Sequence, residues 1–407
     1  MSAPFLGLDL FAGAGGLSLG FSAAGIDIAA ALDHDPSAVR TLRANPGCGP
    51  AIVVKRDIRR FGPRAMDRML SGLYRRSRPQ LIMAGPPCQG WSMVGRGKLR
   101  SLGRLVDGQD PFRDPRNRLF RAFLRYVAYF EPVACVMENV PGMSHYFGVD
   151  VSKVVYESIS ALGYDVVQAR IEASDLGIPQ RRTRLVFVGI REDLGLTFRY
   201  PDGPPEDLGL PKREMVVRDA LRDLPWVPVG SRKETMKYRP VRPRSKYARL
   251  LRPSWMNGTI EAHVTRWHGE QDLAAFRALR QGGIYRELPP ELRRYRVDIF
   301  EDKYRRLSWD EPSPCLTAHL AKDCYSHIHP SQARTISVRE AARLQGFPDW
   351  YQLEGSMGDR YRLVGNAVSP LVSYAIARSL LESLGCRPRG DWSCLSEQQG
   401  RAVHGGE

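Results

Sequence analysis

The chain has 407 residues, 43% of them apolar, with 60 Lys and Arg against 44 Asp and Glu, a net charge of +16, and seven cysteines. That length and apolar content allow more than one domain with a real core, and no apolar run approaches the roughly 20 residues of a membrane helix. The basic excess points to a polyanionic partner, nucleic acid first, against the plainer reading of a solvated basic surface. The sparse, odd cysteines without a CxxC pair argue against a disulfide framework and a zinc site.

Residues 5–10 read as a buried strand, followed by a glycine-rich turn and a helix over 17–24. A second strand covers 26–32. Asp35-Pro36 then supplies an N-cap and a first-turn proline for a helix. Further strands are predicted at 51–54, 81–84, 133–137, 166–171 and 185–190. Helices are predicted at 116–130, ending near Pro132, and at 151–162, stopped by Gly163. Such alternation predicts a parallel sheet covered on both faces. Beyond Arg191 proline and arginine become dense and periodicity fades: residues 231–252 hold nine basic residues and one acid, Glu234. Helical patterns return at 337–345 and 371–384, and the polar end from Cys386 reads as a tail. The start of the chain lacks the basic n-region of a secretory signal, so a cytoplasmic location is expected.

Five segments carry chemistry. The first strand runs into Asp9-Leu10-Phe11-Ala12-Gly13-Ala14-Gly15-Gly16, where glycines let backbone approach a ligand and the next helix offers free N–H groups. Alone this fits a dinucleotide, a nucleoside or a plain tight turn. Asp33, about twenty residues on at the end of the next strand, suits ribose hydroxyls, though it could also be a solvated residue in a capping turn. Gly85-Pro86-Pro87-Cys88-Gln89-Gly90-Trp91-Ser92 follows a strand directly, so a cysteine aimed by two prolines stands where α/β sheets place ligands. A reactive thiolate needs nearby positive charge, and residues 89–121 carry eight basic and three acidic side chains. A buried structural cysteine is the competing reading. Met137-Glu138-Asn139-Val140-Pro141-Gly142 presents a carboxyl that could exchange one proton over a bound base. In Gln180-Arg181-Arg182-Thr183-Arg184, alternate arginines share one side of an extended chain and could reach one group together; a surface charge cluster is the ordinary alternative. His327 and His329 alternate as in a strand and have no cysteine pair beside them, so no metal is expected.

These blocks, in this order, together with Arg339-Glu340-Ala341-Ala342-Arg343-Leu344-Gln345-Gly346-Phe347-Pro348-Asp349 and Gly365-Asn366-Ala367-Val368-Ser369-Pro370, resemble the signature blocks of the DNA cytosine-5 methyltransferase family. The likeness covers nearly the whole chain except about 200–295 and the tail. It implies an α/β, Rossmann-like S-adenosylmethionine-dependent domain at 1–195, a smaller irregular target-recognition domain at 196–330, a return to the catalytic domain at 331–385 and a tail at 386–407. It implies Cys88 as the nucleophile that adds to C6 of a flipped-out cytosine. Glu138 would serve N3 and the exocyclic amine, Arg184 the O2, and Arg182 the positioning of base or backbone. Phe11, Gly13, Gly15 and Pro87 would line the cofactor site. Asp33 would take the ribose, His34 would lie over the adenine, Asp57 would accept its amine with Ile58 packed beneath, and Asn366 would close the site. S-adenosylhomocysteine would be the product.

Double-stranded DNA is the implied partner, read by the recognition domain, with residues 89–121 as a loop that closes on it. The family usually works as a monomer, and a member can partner a restriction endonuclease, belong to a phage-exclusion system or other defence system, or act alone. Cys315-Leu316-Thr317 departs from the family's usual Thr followed by Leu, Val or Ile. Three other readings compete. A tRNA cytosine-5 methyltransferase usually has a reduced recognition region. A silent DNA-binding relative leaves the intact Cys88, Glu138, Arg182 and Arg184 unexplained. A nicotinamide dehydrogenase leaves Cys88 and the arginines without a purpose.

Overall fold

The computed structural model describes residues 5–74, 78–87, 114–144, 149–239, 243–256, 258–294, 303–393 and 395. The alternating segments fold as β1 (Leu6–Leu10), α1 (Gly16–Ala23), β2 (Asp27–Asp33), α2 (Pro36–Arg43), β3 (Ile52–Lys55), α3 (Pro63–Tyr74), β4 (Leu81–Ala84), α4 (Phe120–Phe130), β5 (Ala134–Asn139), α5 (Val151–Ser160), β6 (Tyr164–Glu172) and β7 (Thr183–Arg191). One seven-stranded sheet results, ordered β3-β2-β1-β4-β5-β7-β6. Strands β1 to β5 pair in parallel, but β7 runs antiparallel to both β5 and β6. The fully parallel sheet expected from the alternation is therefore corrected. The connection from Glu172 to Thr183 is too short for a helical crossover, and only a crossover could keep neighbouring strands parallel.

Burial explains the strand signal. Every residue of β1, β4 and β5 is buried, as expected where helices cover both faces of a sheet. Helix α4 lays Phe120, Phe123, Val127 and Phe130 into this core at helical spacing. Its predicted first turn is instead a separate 3-10 turn, Pro115–Arg118, capped by Asp114. Asp35 caps α2 as expected, accepting from the backbone N–H of Ser37 and Ala38. Helix α3 was not predicted; it buries only Met66 and Leu70, too thin a stripe to stand out in sequence.

Two compact units are present. The first holds residues 1–172, 183–202 and 373–394, and the second is mostly Ala173–Arg182 and Gly203–Val372. The second contains α6 (Val217–Leu221), β8 (Thr235–Lys237), α7 (Lys246–Leu251), β9 (Thr259–Glu261), α8 (Glu270–Ala278), α9 (Val338–Leu344) and α10 (Met357–Asn366), and the chain then enters α11 (Pro370–Ser383). Strands β8 and β9 form a small antiparallel sheet.

Buried guanidiniums organise this unit. Arg343 bonds the carboxylates of Asp223 and Asp349 and the carbonyl of Ala220. Arg339 donates to the carbonyls of Glu261, Pro348 and Tyr351. Arg334 grips Glu340 with two 2.7 Å bonds, and Glu340 also accepts the Ser337 N–H to close a capping box on α9. These bonds tie α9 to residues 220–261. Residues through Val372 accordingly group with this compact unit.

Glu340 is fully buried. Burial pushes its carboxyl up, but the Arg334 charge beside it wins and holds it well below the usual carboxylate range. The pair's contribution is therefore present at neutral pH and is lost as pH falls into the acid range. Glu340→Gln, which leaves a buried guanidinium without its counter-charge, should cost about 3–5 kcal/mol in chemical denaturation at neutral pH. An unchanged midpoint would contradict the role given to the pair.

Candidate active site

The glycine-rich turn after β1 is built from left-handed backbone. Phe11 has φ 62°, Gly13 56° and Gly15 79°. Only glycine adopts this region freely, so Phe11 is held there by its surroundings. Asp33, at the end of β2, anchors the turn: one carboxylate oxygen accepts the Gly13 N–H at 2.8 Å and the other the Asp35 N–H at 2.8 Å. The expected cofactor residues Phe11, Gly13, Gly15 and Asp33 thus form one cradle. His34 stands beside it with a largely exposed ring, its Nδ1 3.4 Å from Asp33, and the hydrogen bond to Asp33 raises its pKa. Ile58 is buried and contributes to the core of the sheet. Asp57 is already engaged: the Arg59 fork spans its carboxylate at 2.5–3.0 Å and holds its pKa down at about 2.

Asp9 is the residue that reading the motif piece by piece passed over. It is wholly buried on β1, and one oxygen accepts the Ser18 N–H at 3.1 Å and the Ser18 hydroxyl at 2.6 Å, at the start of α1. Its other oxygen has no hydrogen-bond partner among the described residues. The signal was available in principle, since an acid in the middle of an apolar strand breaks the pattern.

The second cluster sits on neighbouring strands. Glu138 on β5 and Arg184 on β7 form an ion pair of 2.8 Å, with side chains only 11% and 16% exposed. Arg184 also donates to the Thr183 carbonyl. Beside them starts the Pro-Pro-Cys segment: a Cβ built on Gly85 would lie 3.7 Å from Glu138 Oε2, and Asn139 Nδ2 donates to the Pro86 carbonyl at 3.3 Å. Pro87 is the last described residue of this segment. Cys88 and the Gly95-Arg96-Gly97-Lys98 stretch lie outside the described residues. A carboxyl backed by a guanidinium in a nearly dry notch can hold or pass a proton at a ring nitrogen, while the guanidinium binds an adjacent carbonyl oxygen.

Arg182 is placed differently from expectation. It is 3% exposed, and its guanidinium donates to the carbonyls of Leu316 at 2.6 Å and Ala367 at 2.8 Å, with Cys315 Sγ at 3.5 Å. Arg182 and Arg184 therefore do not reach for one group together: one braces carbonyls of the second unit, the other pairs with Glu138. The Cys315-Leu316-Thr317 departure lies on this brace. Asn366 ends α10 in the second unit with an exposed side chain, directly after Gly365, whose missing Cβ leaves room for the Thr317 backbone.

A family model, C-5 cytosine-specific DNA methylase, matches residues 5–382. Similar proteins include the type II methyltransferase M1.HphI of Haemophilus parahaemolyticus, 31% identical over 92% of this chain and 86% of its own. Another is the type II methyltransferase M.AgeI of Thalassovita gelatinovora, 30% identical over 92% and 98%. A solved structure described as a DNA modification methyltransferase encoded within a prophage (E. coli) matches with a TM-score of 0.70. It is 26% identical and covers 94% of this chain and 99% of its own. The mixed sheet is thus a Rossmann-like methyltransferase fold.

Burial pushes the Asp9 carboxyl up from 3.8 to about 7, against the two bonds from Ser18. The folded chain then keeps a proton that the unfolded chain releases, so this group lowers stability as pH rises from about 4 to about 7 and adds no slope above that. Asp9→Asn keeps the shape and removes the titration. Its melting temperature should gain on that of the original protein across this window, and parallel pH profiles would show that Asp9 does not titrate there.

Proposed function

The chain belongs to the C-5 cytosine-specific DNA methylase family and is a DNA cytosine-5 methyltransferase, and on that premise we propose that Cys88, Glu138 and Arg184 carry the chemistry. The observation that supports this most is the 2.8 Å Glu138–Arg184 pair beside Gly85, the residue that opens the Pro-Pro-Cys segment. Carbon 5 of cytosine is a poor nucleophile. Addition of the Cys88 thiolate at C6 makes an enamine of the ring and gives C5 the electron density it lacks. Glu138 holds a proton at N3 and accepts from the exocyclic amine, which draws electrons away from C6. Arg184 binds O2 and fixes the Glu138 carboxylate. Loss of the C5 proton and departure of the Cys88 sulfur restore the aromatic ring. Arg182 serves as a brace on the Leu316 and Ala367 carbonyls.

The methyl donor in this reading is S-adenosylmethionine, leaving as S-adenosylhomocysteine; when bound, it supplies an electrophilic methyl on a sulfonium. The cradle fits such a group: left-handed glycines keep Cβ atoms off the turn, and Asp33 is pre-oriented by two backbone N–H groups. Phe11, Gly13 and Gly15 would hold its amino-acid end, Asp33 its ribose, and His34, Asp57 and Ile58 its base, with Pro87 lining the site and Asn366 closing it. Asp57 would use a lone pair that the Arg59 fork leaves open. Target reading falls to residues 196–330, with 331–385 completing the catalytic domain. In this reading the enzyme acts as a cytoplasmic monomer, and the type II methyltransferase relatives support a restriction or defence setting. Among the described residues no helix is long and apolar enough to cross a membrane.

The test is incubation with labelled S-adenosylmethionine and duplex DNA, with tRNA in parallel, followed by sequencing of the modified cytosines. Label at C5 within one short DNA motif is expected; label in tRNA alone would overturn the reading. Cys88→Ala should lose methyl transfer by on the order of a thousandfold or more while keeping DNA binding. Glu138→Gln and Arg184→Ala should each reduce turnover steeply, and the double variant should lose far less than the product of the two, because the groups act as one unit. Independent, multiplying losses would separate them.

A further inference from the structure

Within the second unit lies a cavity of about 400 Å³, in the range of small-ligand sites, walled by Arg218, Arg222, Arg239, Trp226, Trp309 and His329. Its charges do not cancel. Arg218 is paired with Asp310, but Arg222 and Arg239 are exposed and have no ion-pair partner among the described residues. On the floor, the Glu340 charge is taken by Arg334. His329 accepts the backbone N–H of Ser331 and Gln332 at Nδ1, and burial keeps it neutral. What remains is positive. The flat surfaces are indoles: Trp226 is 64% exposed, and Trp309 is fixed edge-on to the His329 ring at 5.4 Å.

Guanidiniums that are free to fork match phosphate oxygens, and indole faces stack on bases whatever their sequence. We propose that this cavity binds one nucleotide unit, a base together with its phosphate, other than the cytosine that is methylated. Arg222 and Arg239 take the phosphate and Trp226 the base. An anion without a ring would leave an exposed indole unused, and an uncharged ring would leave two cations unmatched. The nucleotide can come from a strand of the DNA substrate or from a free mononucleotide, and both present this chemistry. The inference uses the established action on DNA, but not the proposed roles of Cys88, Glu138 or Arg184.

The test is tryptophan-fluorescence titration of the full-length protein without a methyl donor, so that a failure of the methyl-transfer assignments leaves it untouched. The titrants are a 20-base-pair duplex and deoxyadenosine monophosphate, each over a range of salt. The proteins are the original, Trp226→Phe, Arg222→Ala/Arg239→Ala and the charge-keeping Arg222→Lys/Arg239→Lys, all checked for the original melting temperature. With a DNA strand in the cavity, duplex quenching shrinks in Trp226→Phe. The alanine pair then weakens duplex binding by about tenfold or more and lowers the salt slope by about 1, for the one phosphate that both arginines hold, while the lysine pair keeps most of the slope. With a free mononucleotide as the source, deoxyadenosine monophosphate gives the Trp226-dependent quench and the duplex slope stays put. The proposal is overturned if neither titrant gives a quench that depends on Trp226, whether or not the salt slope changes.

Discussion

The direction of one strand fixes the chemistry this protein can present. Because β7 runs antiparallel to β5, Arg184 near its start meets Glu138 near the end of its neighbour, and the two close a 2.8 Å ion pair. A parallel β7 would carry the arginine to the opposite edge of the sheet. The pair is mostly out of water, so each charge depends on the other to offset its desolvation. That dependence orients the carboxylate before any substrate arrives, at the edge of the sheet where α/β folds hold their ligands. The glycine-turn cradle lies at the same edge: Asp33 ends β2, the glycine turn follows β1, and Asp33 bonds the turn directly.

The second unit solves a different problem. Beside an apolar cluster around Phe276, Tyr285 and Tyr304, it also buries charge: Arg334, Arg339 and Arg343 are buried, and each is satisfied by carboxylates or carbonyls. Breaking such a network is costly, because it leaves a charge stranded in a poor solvent. The positive charge outside this network, as at Arg222 and Arg239, is exposed.

Much of this could be read from the chain. β4 is a short, wholly apolar run that ends at Gly85, and β1 is apolar but for Gly7 and Asp9 and runs into the glycine-rich turn, so both stand out as buried strands. The Asp35 cap of α2 was equally plain. The reversal of β7 could not be read that way, because an apolar run buried on both faces carries no mark of its direction. Helix α3 escaped because only two of its side chains face the core. Among site residues, the grouping of Gly13 with Asp33 followed from their spacing. Arg182 and Arg184 looked equivalent in sequence, and only tertiary context separates a carbonyl brace from a partner of Glu138. The Arg59 fork on Asp57 was hidden for the same reason, since two exposed charges two residues apart look like ordinary surface.

The account turns on sulfur addition to the target ring. The most direct test is a duplex in which the methylated cytosine is replaced by 5-fluorocytosine, where the C5 position has no proton to lose. After incubation with the enzyme and S-adenosylmethionine, denaturing electrophoresis and peptide mapping by mass spectrometry should find a stable protein–DNA complex joined through Cys88. No complex on a duplex whose ordinary cytosine is methylated, or a bond mapped to another residue, would contradict it.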